Sequence, residues 1–285
     1  MSLYNLKNEW LSVVISSVGA ELQSVYGIEE KKEYLYNGDP NFWNRRSPIL
    51  FPFVGAVTDD IYRVDGVEYK MGQHGFARDE NFSLVSYTEN SIELNLESSQ
   101  KTLEIYPYSF SLTVKYTIDK KTVKVEWEVK NCDDRDMYYD IGGHPGFFVP
   151  ENCSILLDKM PVTMSKVTDR YIEDGVNIID SICFEGLYIP VKDRIFKNDA
   201  LVFEDYQISE VSLCKEREAF VRVKLSSPVV GIWAPDKENC PFICIEPWYG
   251  RCDALGFRGD LSEKKWTNKL VAGEIDKYLY TIEII

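Results

Sequence analysis

The sequence predicts an all-β protein, a large antiparallel β-sandwich with few short helices. Apolar and polar residues alternate in Ser109–Ile118 and again in Thr122–Lys130, and a period of two is typical of strands with one buried face. The polar Asp119-Lys120-Lys121 between them indicates the turn of a long hairpin. No segment keeps a period of 3.6 residues over three turns, so we expect sheets packed on sheets.

Shorter segments support the same fold class. Alternation recurs in Ser91–Leu96, Val221–Leu225 and Tyr278–Ile284. Asp65-Gly66 lies in the middle of Tyr62–Tyr69 and predicts a two-residue hairpin, because a type I′ turn needs positive φ at both central residues. Asp39 followed by Pro40 predicts a capped single turn, since both residues favour the start of a helix.

Length and charge restrict the classes of protein and partner. We expect one domain over residues 1–285, because sandwiches of this size often form one unit and no linker or repeat interrupts the chain. The net charge of -14 argues against nucleic acid, since displacing counterions from phosphates requires a positive field. No apolar run approaches the roughly 18 residues of a membrane span, and the first residues lack the pattern of a signal peptide.

The seven cysteines predict free thiols in a reducing cytoplasm. Their number is odd and no pair has CxxC spacing, whereas disulfide frameworks use even sets in oxidising compartments. Cys240, Cys244 and Cys252 could in principle meet at a metal, but no fourth residue has the spacing of a zinc ligand. We therefore expect neither a metal nor a cofactor.

Two histidines stand in similar settings. His74 and His144 are both flanked by glycine and followed by phenylalanine. Glycine permits close approach of a ligand or a neighbouring strand, and aromatic rings beside a polar group suit the apolar faces of a pyranose. A hydrogen-bonded turn residue is the plainer interpretation of either histidine alone, but the repeated context favours a shared site.

Glu246 and Arg46 are further candidates. Glu246 ends the apolar run Phe242–Ile245, and partial burial would raise the pKa of its carboxyl toward the range of a general base. Arg46 precedes another apolar run, from which it could project into a cleft and bind two hydroxyls with its guanidinium. The plainer interpretations are a glutamate at a strand end on the surface and a solvated arginine.

Four segments, taken in their order and spacing, resemble the aldose 1-epimerase (galactose mutarotase-like) superfamily, and most closely its LacX-like bacterial branch. They are Val18–Ser24, Arg46–Pro52, His74–Arg78 and Ile245–Trp248. The resemblance implies a large antiparallel sandwich that holds a sugar in an open cleft.

The resemblance also implies roles for individual residues. Glu246 would be the general base and His144 the general acid, with His74 assisting at the ring oxygen. Arg46 and Asp199 would bind sugar hydroxyls. These five residues form the predicted site.

The segment around Asp199 departs from the family pattern. Full-length galactose mutarotases usually have a histidine and an aromatic residue after this aspartate, whereas this chain has Ala200 and Leu201. The departure concerns the identity of the sugar more than the reaction.

The sequence thus predicts a mutarotase that interconverts the α and β anomers of an aldose by acid/base ring opening and reclosure. Three alternatives remain open. The chain could be a non-catalytic carbohydrate-binding sandwich, or a hexose 6-phosphate mutarotase that uses Arg45, Arg78 or Lys197 as phosphate-binding cations. It could also hold iron or manganese between the two histidines and Glu246. A glycosidase would need paired carboxylates, and only one convincing site glutamate is present.

Overall fold

The computed structural model describes residues 1–191 and 194–285. In these ranges the chain forms 25 strands, one α-helix and four 3₁₀ turns. The strands are β1 (Leu3–Lys7), β2 (Leu11–Ser16), β3 (Leu22–Gly27), β4 (Lys32–Glu33), β5 (Ile49–Leu50), β6 (Ile61–Val64), β7 (Val67–Lys70), β8 (Ser83–Tyr87), β9 (Ser91–Glu97), β10 (Phe110–Asp119), β11 (Thr122–Asn131), β12 (Met137–Tyr139), β13 (Ile141–Gly143), β14 (Gly146–Phe148), β15 (Cys153–Leu157), β16 (Ser165–Thr168), β17 (Tyr171–Asn177), β18 (Tyr188–Pro190), β19 (Leu201–Phe203), β20 (Glu210–Lys215), β21 (Glu218–Leu225), β22 (Val229–Trp233), β23 (Phe242–Tyr249), β24 (Asn268–Leu270) and β25 (Ile275–Ile284). The helix is α1 (Gln100–Ile105), and the 3₁₀ turns are Thr58–Asp60, Ala77–Asp79, Ile179–Ser181 and Leu261–Glu263.

Two large sheets dominate the described residues. One has nine strands in the order β18-β15-β20-β21-β25-β11-β10-β9-β8. The other has eight, in the order β17-β16-β19-β22-β23-β13-β5, with β14 also paired to β23. Strands β1 to β4 form a smaller sheet, and β6-β7 and β12-β24 are separate pairs. The predicted all-β antiparallel sandwich is confirmed.

The central hairpin shows how alternation builds the sandwich. Strands β10 and β11 pair in one continuous register, with Val114 opposite Trp127, and their buried residues alternate with partly exposed ones. Trp127 reaches the other sheet, because a side chain at Gly143 would meet its ring at 3.2 Å. The two sheets are therefore in direct contact beside Gly143.

The predicted local elements form, with small differences. Asp65 and Gly66 have φ of 51° and 77° and join β6 to β7, as a type I′ turn requires. The carbonyl oxygen of Asp39 accepts the N–H of Trp43 at 2.9 Å, so the predicted single turn exists without becoming a regular helix. Helix α1, capped by Ser99, escaped prediction because six residues cannot display a helical period over three turns.

Strand β23 is the element that positions the candidate site. All eight of its residues are buried, and successive side chains point to opposite faces. Ile243 and Ile245 join the core between the sheets, so Cys244 and Glu246 face the other way. None of the helices in the described ranges is long and apolar enough to cross a membrane.

Candidate functional site

A cavity of about 360 Å³ lies on the face of the eight-stranded sheet that carries Glu246. Its wall includes Trp43, His74, Arg78, His144, Arg170, Asp199, Trp233, Glu246 and Trp248. Four of the five sequence-predicted site residues therefore line one cavity, although they are far apart in the chain.

Arg46 is not among the described residues that line this cavity. Its guanidinium donates a hydrogen bond to the carbonyl oxygen of Gln23 at 2.6 Å, and its backbone N–H donates to the carboxylate of Glu21 at 3.0 Å. Arg46 thus connects its segment to β3. Arg78, in the 3₁₀ turn Ala77–Asp79, lines the cavity instead.

His144 and Glu246 are in direct contact. His144 Nε2 lies 3.2 Å from Glu246 Oε2, and only 1% of the glutamate side chain is exposed. The same oxygen accepts the indole N–H of Trp248 at 3.1 Å. Glu246 and Trp248 are two residues apart on β23 and therefore share its cavity face.

Burial is the main influence on the pKa of both groups. It raises the pKa of Glu246 well above its usual range, an effect that the Trp248 N–H opposes and the nearby Asp199 carboxylate reinforces. Burial lowers the pKa of His144 to about 3. Because both shifts disfavour the charged form, the two side chains together hold one proton over a wide pH range.

His74 is fixed by two hydrogen bonds to Gly55. Its backbone N–H donates to the Gly55 carbonyl at 2.8 Å, and its Nδ1 accepts the Gly55 N–H at 3.0 Å. The neutral ring therefore carries its proton on Nε2. Burial, followed by the neighbouring His144 and Arg78, lowers the pKa of His74 well below its usual range.

The glycine after His74 is required by the local geometry. Gly75 has φ of 69°, and a side chain there would come within 2.2 Å of the Phe51 carbonyl oxygen. This close approach of backbone segments brings His74 to the cavity. Its ring lies 5.6 Å from that of His144, at 84° to it.

Tryptophans form the apolar part of the wall. Trp43 stacks on His144 with ring centroids 4.7 Å apart, and Trp233 meets the same imidazole edge-on at 5.4 Å. Sequence reasoning did not identify Trp43, Trp233 or Trp248 as site residues. Only Trp248 could have been predicted to line the site, because it follows Glu246 by two residues on one strand and alternate residues of a strand share a face.

Asp199 enters the cavity from the loop before β19. Its φ is 78°, and its Oδ1 accepts the N–H of Ala200 at 2.9 Å. Burial raises the pKa of Asp199, whereas hydrogen bonds from Ala200 and Trp233 and the charge of Arg170 act in the opposite direction. A carboxylate in this position can accept hydrogen bonds from ligand hydroxyls.

A larger groove of about 1000 Å³ lies elsewhere, between Val149–Cys153 and Ala234–Ile243. Its described lining contains neither histidine nor any of the five predicted site residues. The predicted acid/base residues therefore lie in the smaller cavity.

Comparison with known proteins identifies related chains. The family model described as aldose 1-epimerase matches residues 2–253. The chromosomal LacX protein of Lactococcus lactis is 29% identical over 98% of both chains. A solved galactose mutarotase related enzyme from Lactobacillus acidophilus is 30% identical, with a TM-score of 0.92 over 100% of this chain and 97% of that one. A galactose mutarotase-like protein from Lactobacillus casei is 26% identical, with a TM-score of 0.93 over 100% of both chains.

The buried histidines make a direct prediction for NMR. Neither imidazole should titrate between about pH 8 and pH 5, the range in which an ordinary histidine gains its proton, because burial lowers the pKa of both. Nitrogen-15 spectra of labelled imidazoles measure this, and the spectrum of His74 should show a protonated Nε2. The variant His144→Asn assigns the two signals, and a titration midpoint of His74 at about pH 6.5 would contradict the buried geometry.

Proposed function

Because the chain belongs to the aldose 1-epimerase family, we propose that it is a mutarotase, an isomerase that interconverts the α and β anomers of an aldose. The contact of 3.2 Å between His144 Nε2 and Glu246 Oε2 carries the proposal. The anomeric hydroxyl and the ring oxygen are bonded to the same carbon, so two groups this close can reach both oxygens at once. Acid/base catalysis requires such hydrogen-bond reach.

The reaction needs one proton taken and one given. Burial favours the form in which the single proton lies on Glu246, so this proton first crosses the 3.2 Å contact to His144 Nε2. The ionised Glu246 then removes the proton of the anomeric hydroxyl, His144 donates its proton to the ring oxygen, the C1–O5 bond breaks and an aldehyde forms. Rotation about C1–C2 presents the other carbonyl face, and reclosure with the roles reversed gives the other anomer. A pair that holds one proton before the step also holds one after it, so no proton need enter or leave the cavity.

Other side chains have supporting roles in this proposal. His74 carries its remaining proton on Nε2 and can donate it toward the ring oxygen. Asp199 accepts hydrogen bonds from the sugar hydroxyls. Trp43 and Trp233 cover an apolar face of the pyranose. We infer the cytoplasm as the compartment, because a reducing environment suits seven cysteines that are unpaired in the structure.

Removing either proton-transfer group tests the proposal. Glu246→Gln and His144→Asn should each slow anomer exchange by about 10²–10⁴-fold, the usual contribution of a general acid or base. NMR saturation exchange between the anomers measures the rate, and circular dichroism checks the fold. Glu185→Gln, at an exposed surface glutamate, is the matched control. An aldose bound by the wild type with no gain in exchange rate would instead indicate a carbohydrate-binding protein.

The pH dependence of the rate tests the role of Trp248. Exchange requires the single proton, so the rate falls when pH rises through the raised pKa of Glu246 and that proton is lost. Trp248→Phe removes the N–H that lowers this pKa, so the alkaline limb of the profile should move to higher pH. Trp266→Phe, which loses an N–H bond to Glu204 instead, should leave the profile unchanged. Superimposable profiles for Trp248→Phe and wild type would contradict this role.

A hexose 6-phosphate is the second candidate substrate. The cations among the described lining residues are Arg78 and Arg170. Arg78 is largely buried, and its Nε makes no hydrogen bond within the described chain. Arg170 has φ of 74° at the turn between β16 and β17, and its charge acts on Asp199. Two arginines beside a small cavity suit an anionic group on the sugar.

Arg170→Gln distinguishes the two substrate classes. If Arg170 binds phosphate, the ratio of kcat/KM for glucose 6-phosphate to that for glucose should fall at least about tenfold, because a hydrogen bond to a charged group contributes roughly 1.5–3 kcal/mol. Arg45→Gln is the control, since Arg45 pairs with Asp79 at 2.7 Å. Equal losses for both substrates would assign Arg170 to hydroxyls and favour a free aldose.

A further inference from the structure

Cys244 lies beside the proposed catalytic pair. It is on β23 two residues before Glu246, on the same strand face, and it is fully buried. One ligand atom each from His144, Cys244 and Glu246 lies within 4.8 Å of the other two. No other group of three or more such ligands occurs in the part of the chain that the structure describes.

The three donors have the chemistry of a zinc site. An imidazole nitrogen, a thiolate sulfur and a carboxylate oxygen are the ligands that Zn²⁺ prefers, at about 2.0–2.3 Å. Two ligands of a tetrahedral ion at such bond lengths are roughly 3.4 Å apart, close to the 3.2 Å between His144 Nε2 and Glu246 Oε2. Thiolate also favours zinc over magnesium or calcium.

The two ring nitrogens of His144 have different surroundings. Nε2 lies 3.2 Å from Glu246 Oε2, so an ion shared with Glu246 would bind at Nε2. Nδ1 is buried and makes no hydrogen bond within the described residues. It is therefore free to donate its proton to a water, as the second nitrogen of a metal-ligating histidine usually donates to a hydrogen-bond partner.

We propose that His144, Cys244 and Glu246 bind a thiophilic divalent cation, Zn²⁺ above all, and that the bound ion blocks anomer exchange. The thiol proton and the proton shared by His144 and Glu246 both pass to solvent as the bonds to the metal form. The ion occupies the lone pairs of both proton-transfer groups, so neither can act on a sugar. Only the inhibition depends on the proposed mutarotase activity; the binding does not. From the sequence alone, the metal sites considered were made of three cysteines or of two histidines with Glu246, and neither set combines His144, Cys244 and Glu246.

Cobalt is the probe for binding. Titrating Co²⁺ into the full chain should give one ion per chain and a thiolate-to-cobalt charge-transfer band in the near ultraviolet. Cys244→Ser should abolish the band, because a hydroxyl is a poor ligand for these ions. Cys240→Ser should retain it, since that half-buried thiol contacts the Phe242 carbonyl at 3.5 Å and is not in the ligand group. No band in the wild type, or an unchanged band in Cys244→Ser, would overturn the proposal.

His144→Asn keeps the thiol and gives a second test if Cys244→Ser fails to fold. It should weaken cobalt binding by more than about tenfold, because even the supporting partners of metal ligands contribute 10–100-fold to affinity. Unchanged affinity would refute the ligand set.

Zinc inhibition is measured as the exchange rate with Zn²⁺ divided by the rate without it. This ratio should fall to about 10⁻² or less in the wild type, as for loss of a catalytic group, and should stay near one in Cys244→Ser. A fully active zinc-bound wild type would refute the inhibition. A cobalt band in a protein that never accelerates exchange would support the metal site and refute the mutarotase.

Discussion

A carboxyl and an imidazole held 3.2 Å apart and away from water are the feature on which the candidate site depends. Either group alone would be costly to bury, because a buried charge or polar group without a partner loses its hydration. In contact, Glu246 and His144 satisfy each other with one shared proton. The Trp248 N–H adds a third hydrogen-bonding group to the same carboxyl oxygen. This arrangement keeps a titratable pair buried in the wall of the cavity.

Two glycines bring His144 to that contact. A side chain at Gly142 would meet the Pro247 carbonyl oxygen at 3.0 Å, and one at Gly143 would meet Trp127 at 3.2 Å. Strand β13 can therefore lie closely against β23 on one side and against the nine-stranded sheet on the other. The sequence context of His144 thus reflects packing between strands as much as access for a ligand.

The sequence predicted the strands well because alternation depends only on which face of a strand is buried. The apolar run Phe242–Ile245 identified β23 as a buried strand. The family resemblance predicted a site that contains His74, His144, Asp199 and Glu246, and these four residues line one cavity. It predicted that Arg46 lines the cavity, whereas the structure has Arg78 there. The direction of a side chain in an irregular segment depends on contacts such as the Arg46 bond to Gln23, which periodicity does not encode. Trp43 and Trp233 were missed for the same reason, since strand neighbours remote in sequence are set by the tertiary fold.

The distances along the chain between these residues have a consequence for refolding. β13 pairs with β5 on one side and with β23 on the other, so about two hundred residues must find their partners before the cavity has walls. Contacts so remote in sequence form slowly and together. Stacking of Trp43 on His144 joins the first and middle thirds of the polypeptide, and its appearance would report that these two parts have come together.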